Sequence, residues 1–410
     1  MRRWQASLAA GLVGLVVGIA GVMALQTSEA PPITTRSVTT GSVAVTTTSV
    51  SSPTSLGTSS TTVAGASTTV VEPTTGSTLP LSRLFVVWTS GGLPPGLGTA
   101  IGAIEGVSLV SEIKSDVVWL ESFEGDGFVV PVEASGVDDV YVEIAPTEWT
   151  ITLGSMGVGE AVLSESSAEL RSAAVGDVLS INEMNLSIVG ILPDQVVGAA
   201  EVVTTVETGL ALGITTPRYL LVTFEGDRAA FERSVRESLP EGVAARIRAP
   251  GETPFLRHGD AVQPQVIIKS EFGEFALRPG SSGSFDIADE WFTDNLATVD
   301  VPLLGSVACH VGILDSLRGA MQEVQQSNLG FLVETFDGCY NPRFIGGTRT
   351  LSRHAWGVAV DLNYAANPTG QVTVQDPRLV SIMERWGFTW GGNWLVPDAA
   401  HFEWVSPPFN

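Results

Sequence analysis

Residues 31–80 set the first limit on what this chain can fold into. From Pro31 to Pro80 roughly half of the residues are Ser or Thr, with scattered Pro, Gly and Val. Such a run cannot bury enough apolar surface to offset the entropy of ordering it, so a disordered stalk is expected there. Most of the 410 residues follow the stalk, and an apolar content of 44% is enough for real cores in that part.

Ahead of the stalk, MRRWQASLAAGLVGLVVGIAGVMALQ joins Arg2 and Arg3 to about 20 uncharged, mostly apolar residues, long enough to span a bilayer. Residues 1–30 are therefore expected to be a signal anchor, or a signal peptide cut after Ala24, and either places the rest outside the cytoplasm. The formal net charge of −23 has the wrong sign for a phosphate backbone, so no nucleic-acid partner is expected. Cys309 and Cys339, the only two cysteines, suit one disulfide in an exported chain. Zinc ligation by the pair is the alternative, without a CxxC spacing to support it.

After the stalk the pattern is α+β, read as one module over 81–255 and a second over 262–410. In the first, VVWLESF, GFVVPVEA, VYVEIA and EWTITLG read as strands. A helix from Ser164 to Arg171, capped by Ser164, precedes a hairpin that ends in NLSIVGIL. RAAFERSVRESL places Phe231, Val235 and Leu239 at helical spacing, between the strands YLLVTFEG and AARIRAP. In the second module VIIKSEFGEFAL and FLVETFDG read as strands and IADEWFTDNL as a helix. ILDSLRGAMQEVQQSNL is a longer helix with Leu314, Leu317, Met321 and Val324 on one face.

The chemistry concentrates near the C-terminus. The chain has four histidines, and the first module has none before His258, no cysteine and no glycine-rich phosphate loop, so it is read as non-catalytic. His258 and His310 are read as structural. In SRHAWGVAVDLN, residues 352–363, period two sets Asp361 on the face opposite Val358, Val360 and Leu362. His354, across the turn, is placed to partner that carboxylate or to share a metal with it. In HFEW, His401 and Glu403 share a face. Two His and one Asp suffice for a catalytic zinc with one position left open. Such a metal acidifies water and polarises a carbonyl, which points to amide hydrolysis. A general base is then required. Asp398, three residues before His401, serves if the chain turns between them; Glu403 competes, and is better placed to orient His401.

SRHAWGVAVDLN, GFTWGGNW and PDAAHFEW, in that order, resemble the VanY-like zinc peptidases of the D-alanyl-D-alanine carboxypeptidase and L-alanyl-D-glutamate endopeptidase group. The family pattern Ser-x-His-x-x-Gly-x-Ala-x-Asp is met by Ser352, His354, Gly357, Ala359 and Asp361, and its Asp-x-x-His by Asp398 and His401. For residues 262–410 the resemblance implies a hedgehog/D-Ala-D-Ala-peptidase-like zinc domain that hydrolyses the stem peptides of peptidoglycan. It implies His354, Asp361 and His401 as zinc ligands and Asp398 as base; Ser352, in the same motif, and Glu403 are read as supports of those ligands. It also implies an arginine upstream that steadies the oxyanion, taken as Arg343 in CYNPRFIGG rather than Arg349. An inactive, zinc-containing wall-binding or regulatory protein is the alternative. Residues 81–255 resemble the extracellular core domains of FtsX/MacB-type ABC-transporter permeases, on GEAVLSESSAELRSAAVGDVLSI, LSIVGILPD and PRYLLVTFEG. The four membrane spans of such permeases are missing, so this second resemblance implies a spacer or a surface for a protein partner, not transport.

Overall fold

The computed structural model describes residues 83–121, 127–198, 200–253, 255–280 and 284–406. The expected membrane segment and the Ser/Thr stalk lie outside them. Among the described residues no helix is long and apolar enough to cross a membrane.

The long strand Val107–Glu121 organises the first module. Its alternation buries Ser111, Ile113, Ser115 and Val117, and it pairs antiparallel with Val129–Val137 on one side and Pro217–Phe224 on the other. Strand Leu84–Thr89, buried throughout, pairs antiparallel with both Pro217–Phe224 and Ala245–Arg248. The expected strand–helix–strand unit is therefore split by an inserted strand. Its helix, Arg228–Glu237, is capped by Asp227 and buries Phe231 and Val235, while Leu239 lies beyond its end and is half-buried. Ser164 caps helix Glu165–Arg171, and Val178–Ile181 and Met184–Leu192 form the expected hairpin.

Three expected strands are helices. All of VYVEIA but its last residue belongs to helix Asp139–Ile144, because the Asp138 carboxylate accepts the Tyr141 N–H at 2.9 Å and so caps it, and Tyr141 and Ile144 point inward one turn apart. EWTITLG contains the single turn Thr150–Gly154, in which Leu153 is buried and Ile151 is exposed. VIIKSEF lies in helix Gln265–Phe272, whose buried positions 265, 266, 268, 269 and 272 follow a helical spacing. Two of those positions are Gln and Lys, which hides the period from a hydrophobicity count. FLVETFDG is a strand only over Phe336–Gly338; the Glu334 and Thr335 N–H groups donate to Asn363 Oδ1 instead of to a neighbouring strand.

Helix Gln265–Phe272 joins the two halves of the chain. One side of it carries Ile268 and Phe272 into the core of the C-terminal half. On the other side Lys269 Nζ donates to the Pro131 carbonyl and lies 2.8 Å from Glu201, which also pairs with Arg171 at 2.6 Å. Glu274 accepts from both cations. Burial works against an ionised Glu201, but Lys269 and Arg171 outweigh it and hold the carboxyl below its ordinary range. Beyond this helix, strands Leu277–Pro279 and Phe285–Ile287 add to the first module's sheet through Val129, so that sheet runs across the division expected near residue 255.

In the C-terminal half, helix Leu314–Gln326 buries Leu314, Leu317, Met321 and Val324 as expected. Helix Pro377–Arg385 buries Leu379, Val380, Ile382 and Met383 in the same core. Against this core lies an antiparallel sheet in the order Phe336–Gly338, Ala359–Leu362, His401–Trp404, Phe388–Trp390. Its two central strands carry the residues of interest.

Candidate metal centre

The site is built from a turn, a strand pair and a disulfide. Ser352 caps the short 3-10 helix Arg353–Ala355 by accepting the His354 N–H at 3.3 Å. Gly357 then turns the chain at φ +65°, where a Cβ would stand 2.9 Å from the His310 backbone nitrogen. Only glycine meets both demands. The strand that follows buries Val360 and Leu362 and turns Asp361 to the other face, directly opposite His401 on the neighbouring strand. Cross-strand partners of this kind have their Cβ atoms about 5 Å apart, close enough to share one ion.

Three side-chain atoms converge. His354 Nε2 is 3.2 Å from His401 Nδ1 and 3.2 Å from Asp361 Oδ1, and His401 Nδ1 is 3.1 Å from Asp361 Oδ1. Zinc bonds of about 2.0–2.1 Å in tetrahedral geometry place neighbouring donors roughly 3.3 Å apart, so this triangle fits three corners and leaves a fourth. The tautomer fits as well. His354 Nδ1 donates to the Cys339 carbonyl at 2.7 Å, which leaves Nε2 with its lone pair facing the other two ligand atoms. Among the described residues, His354, Asp361 and His401 form the one group of three or more His, Cys, Asp and Glu that could hold a metal ion.

Both histidines are buried, at 1% and 6% exposure, and Asp361 is half-buried. Burial alone would lower the His401 imidazole, but the Asp361 and Glu403 carboxylates overcome it and push His401 up to about 9. Burial opposes the charge on Asp361 too; the two histidines prevail and hold its carboxyl far below the usual range. Glu403 approaches the other nitrogen of His401, Nε2, at 3.7 Å. It also pairs with Arg353 Nε at 3.8 Å and accepts the Val262 N–H at 3.3 Å.

Asp398 precedes His401 by the expected turn, in which His401 donates its backbone N–H to the Asp398 carbonyl at 3.1 Å. Its Oδ1 accepts from the Thr369 hydroxyl at 3.0 Å, and the Trp394 ring lies 5.2 Å from His401. Arg343 Nη1 donates to Ser352 Oγ at 3.2 Å, which ties it to the turn that carries His354. Arg349 is engaged elsewhere, 3.6 Å from Asp116 and over the Trp119 ring. Cys309 and Cys339 form the expected disulfide. His310 and His258 stand outside the cluster: His310 packs edge-on to Phe272, and His258 stacks on Tyr219. Trp356 is buried and donates to the Gly273 carbonyl, and Trp390 donates to Ala399. Sequence reasoning missed Thr369, Arg353 and the Val262 N–H. None of them has a local signal, because each meets its partner across at least 29 residues.

Residues 346–404 match a family model described as D-alanyl-D-alanine carboxypeptidase, and the match holds all three ligand candidates and Asp398. This region is thus similar in sequence to zinc-dependent hydrolases of that type. Two solved structures resemble about two fifths of the chain. One is the periplasmic region of MacB from Actinobacillus actinomycetemcomitans, with 15% identity over 41% of this chain and 89% of that one, at a TM-score of 0.31. The other is the extracellular domain of the noncanonic ABC-type transporter YknZ from Gram-positive bacteria, with 11% identity over 40% and 99%, at 0.30. Likenesses at these scores carry no functional argument. No curated protein matches the chain.

Proposed function

We propose that the protein is a zinc-dependent peptidase that hydrolyses amide bonds in peptidoglycan stem peptides, as a D-Ala-D-Ala carboxypeptidase or an L-Ala-D-Glu endopeptidase. The observation that carries this reading is the triangle of His354, Asp361 and His401, lying within the stretch that matches the carboxypeptidase family model. Zinc bound there supplies a Lewis acid and a means of acidifying water. The protein's own groups do the rest. Asp398 takes a proton from the attacking water and returns it to the leaving amine. Thr369 occupies its Oδ1, which leaves Oδ2 for the proton. Arg343 balances the charge that develops on the former carbonyl oxygen. The Cys339 carbonyl and Glu403 fix the ring orientations of His354 and His401. Residues 1–30 as a membrane anchor and 31–80 as a tether suit a wall-bound substrate, and residues 81–255 offer a surface for a protein partner.

The test is incubation of the purified full-length chain with muropeptides, with zinc and with chelator, read by mass spectrometry. Loss of a terminal D-Ala defines a carboxypeptidase, and separation at L-Ala–D-Glu an endopeptidase. A folded, zinc-loaded chain that releases neither product would make it a wall-binding or regulatory protein.

A further inference from the structure

Between Trp394, beside the His401 ring, and Asp398, the chain is held by the first module and by Asp260 just beyond its end. The Leu395 N–H donates to Asp260 Oδ2 at 2.6 Å. Asp260 Oδ1 lies 3.1 Å from Arg246 Nε and 3.8 Å from Arg248 Nη2. Arg246 Nη2 donates in turn to the Asn393 carbonyl at 2.6 Å. The Leu395 side chain packs on the buried cluster that contains Leu84, Trp88 and Leu256, which is a core of the first module. The segment thus has polar and apolar anchors alike outside the peptidase core.

Its own ends are tightly drawn. Asp398 N–H donates to the Gly391 carbonyl at 2.9 Å, and a Cβ on Gly391 would stand 2.6 Å from the Asp398 carbonyl oxygen. A loop closed this tightly moves as a unit, so whatever holds residues 393–395 also sets where Trp394 and Asp398 stand. The bond from a carboxylate to an amide is charge-assisted, and Asp260 is only 13% exposed, so water competes weakly for it.

We infer that Asp260, braced by Arg246, is a positioning residue that fixes residues 391–398, and with them Asp398, against the metal ligands. The inference rests on the peptidase reading above and deepens it: the first module becomes part of the working site, not a spacer alone.

The test compares the full-length wild type with Asp260→Ala and Asp260→Asn for kcat and KM on muropeptides, zinc content, and hydrogen exchange by mass spectrometry. In Asp260→Ala, zinc content and KM stay near wild type while kcat falls about 10- to 100-fold, the scale of a misplacement of about 1 Å. Exchange quickens over residues 391–398 and stays slow over 401–404. Asp260→Asn keeps an acceptor for the Leu395 N–H and recovers most of the loss. Unchanged kcat in Asp260→Ala, or unchanged exchange over 391–398, overturns the inference while leaving the peptidase reading intact. Zinc loss or exchange raised throughout the chain also overturns it, since the role would then be general stability. A zinc-loaded wild type that hydrolyses no muropeptide overturns the peptidase reading first, and this inference with it.

Discussion

His354 and Cys339 are joined by a 2.7 Å hydrogen bond from the imidazole Nδ1 to the backbone carbonyl, and Cys339 is itself tied to Cys309 by a disulfide. The disulfide therefore bears on the metal site as well as on the fold. Replacing both cysteines by Ser frees a loop with a sequence separation of 30, which costs roughly 3–4 kcal/mol on the chain-entropy model. The expected result is a lower melting temperature together with faster zinc loss to a competing chelator. A variant that melts earlier but keeps wild-type zinc affinity would show that the carbonyl stays in place without the bridge.

The ligands and the base separate by which measurement they disturb. His354→Ala, Asp361→Ala and His401→Ala should each abolish stoichiometric zinc binding in equilibrium dialysis. Asp398→Ala should keep zinc and lower kcat by about 10²–10⁴, the range for loss of general acid–base catalysis. Retained zinc in any ligand variant would remove that residue from the set.

Arg343 and Arg349 make a paired control. Arg343 is bonded to Ser352, whereas Arg349 faces Asp116 and Trp119 of the first module. Arg343→Ala should lower kcat by about 10²–10³, as loss of one oxyanion donor does elsewhere, while Arg349→Ala keeps turnover near wild type. Steady-state kinetics on one muropeptide decides between them.

The site was legible in the sequence where its geometry is local. Ten residues, from Ser352 to Asp361, set a cap, a glycine turn and a strand of period two, and those rules orient His354 and Asp361 without further information. His401 was reachable because it shares a strand face with Glu403 in HFEW and follows Asp398 by three residues. What stayed hidden spans distance: Asp260 meets Leu395 across 135 residues, and Lys269 meets Glu201 across 68. The helix over 265–272 was hidden for the same reason, since Lys269 is an inward position only because Glu201 is there. The helix at VYVEIA had a readable signal in Asp138, an N-cap residue that the run of β-branched side chains outweighed.

The buried Lys269–Glu201–Arg171 group gives a pH prediction. Glu201 has a folded-state value below its unfolded one, so its contribution is fully present above the unfolded value and is lost as pH falls through the folded value. Chemical denaturation at neutral pH should find Glu201→Gln less stable by about 3 kcal/mol, the cost of removing one partner from a buried pair. That difference should hold down to about pH 4.3, an ordinary unfolded glutamate value, and shrink below it. A difference that grows on acidification would mean that Glu201 is protonated in the folded protein.

The shared sheet makes a last prediction, about truncation. A fragment of residues 262–410 would leave strand Leu277–Pro279 without Val129 beside it, and Lys269 without Glu201 and the Pro131 carbonyl. Leu277, fully buried in the intact chain, belongs to a cluster against which Trp119 and Val129 pack, and the fragment lacks both. An unpaired edge next to newly exposed apolar side chains promotes association between copies. Residues 262–410 alone should therefore aggregate or be rapidly proteolysed, whereas residues 83–410 should unfold in one cooperative step that includes both halves. Calorimetry of the longer piece checks this: two resolved transitions, with the shorter fragment soluble and folded, would mean that the junction helix and the shared strands contribute little to holding the halves together.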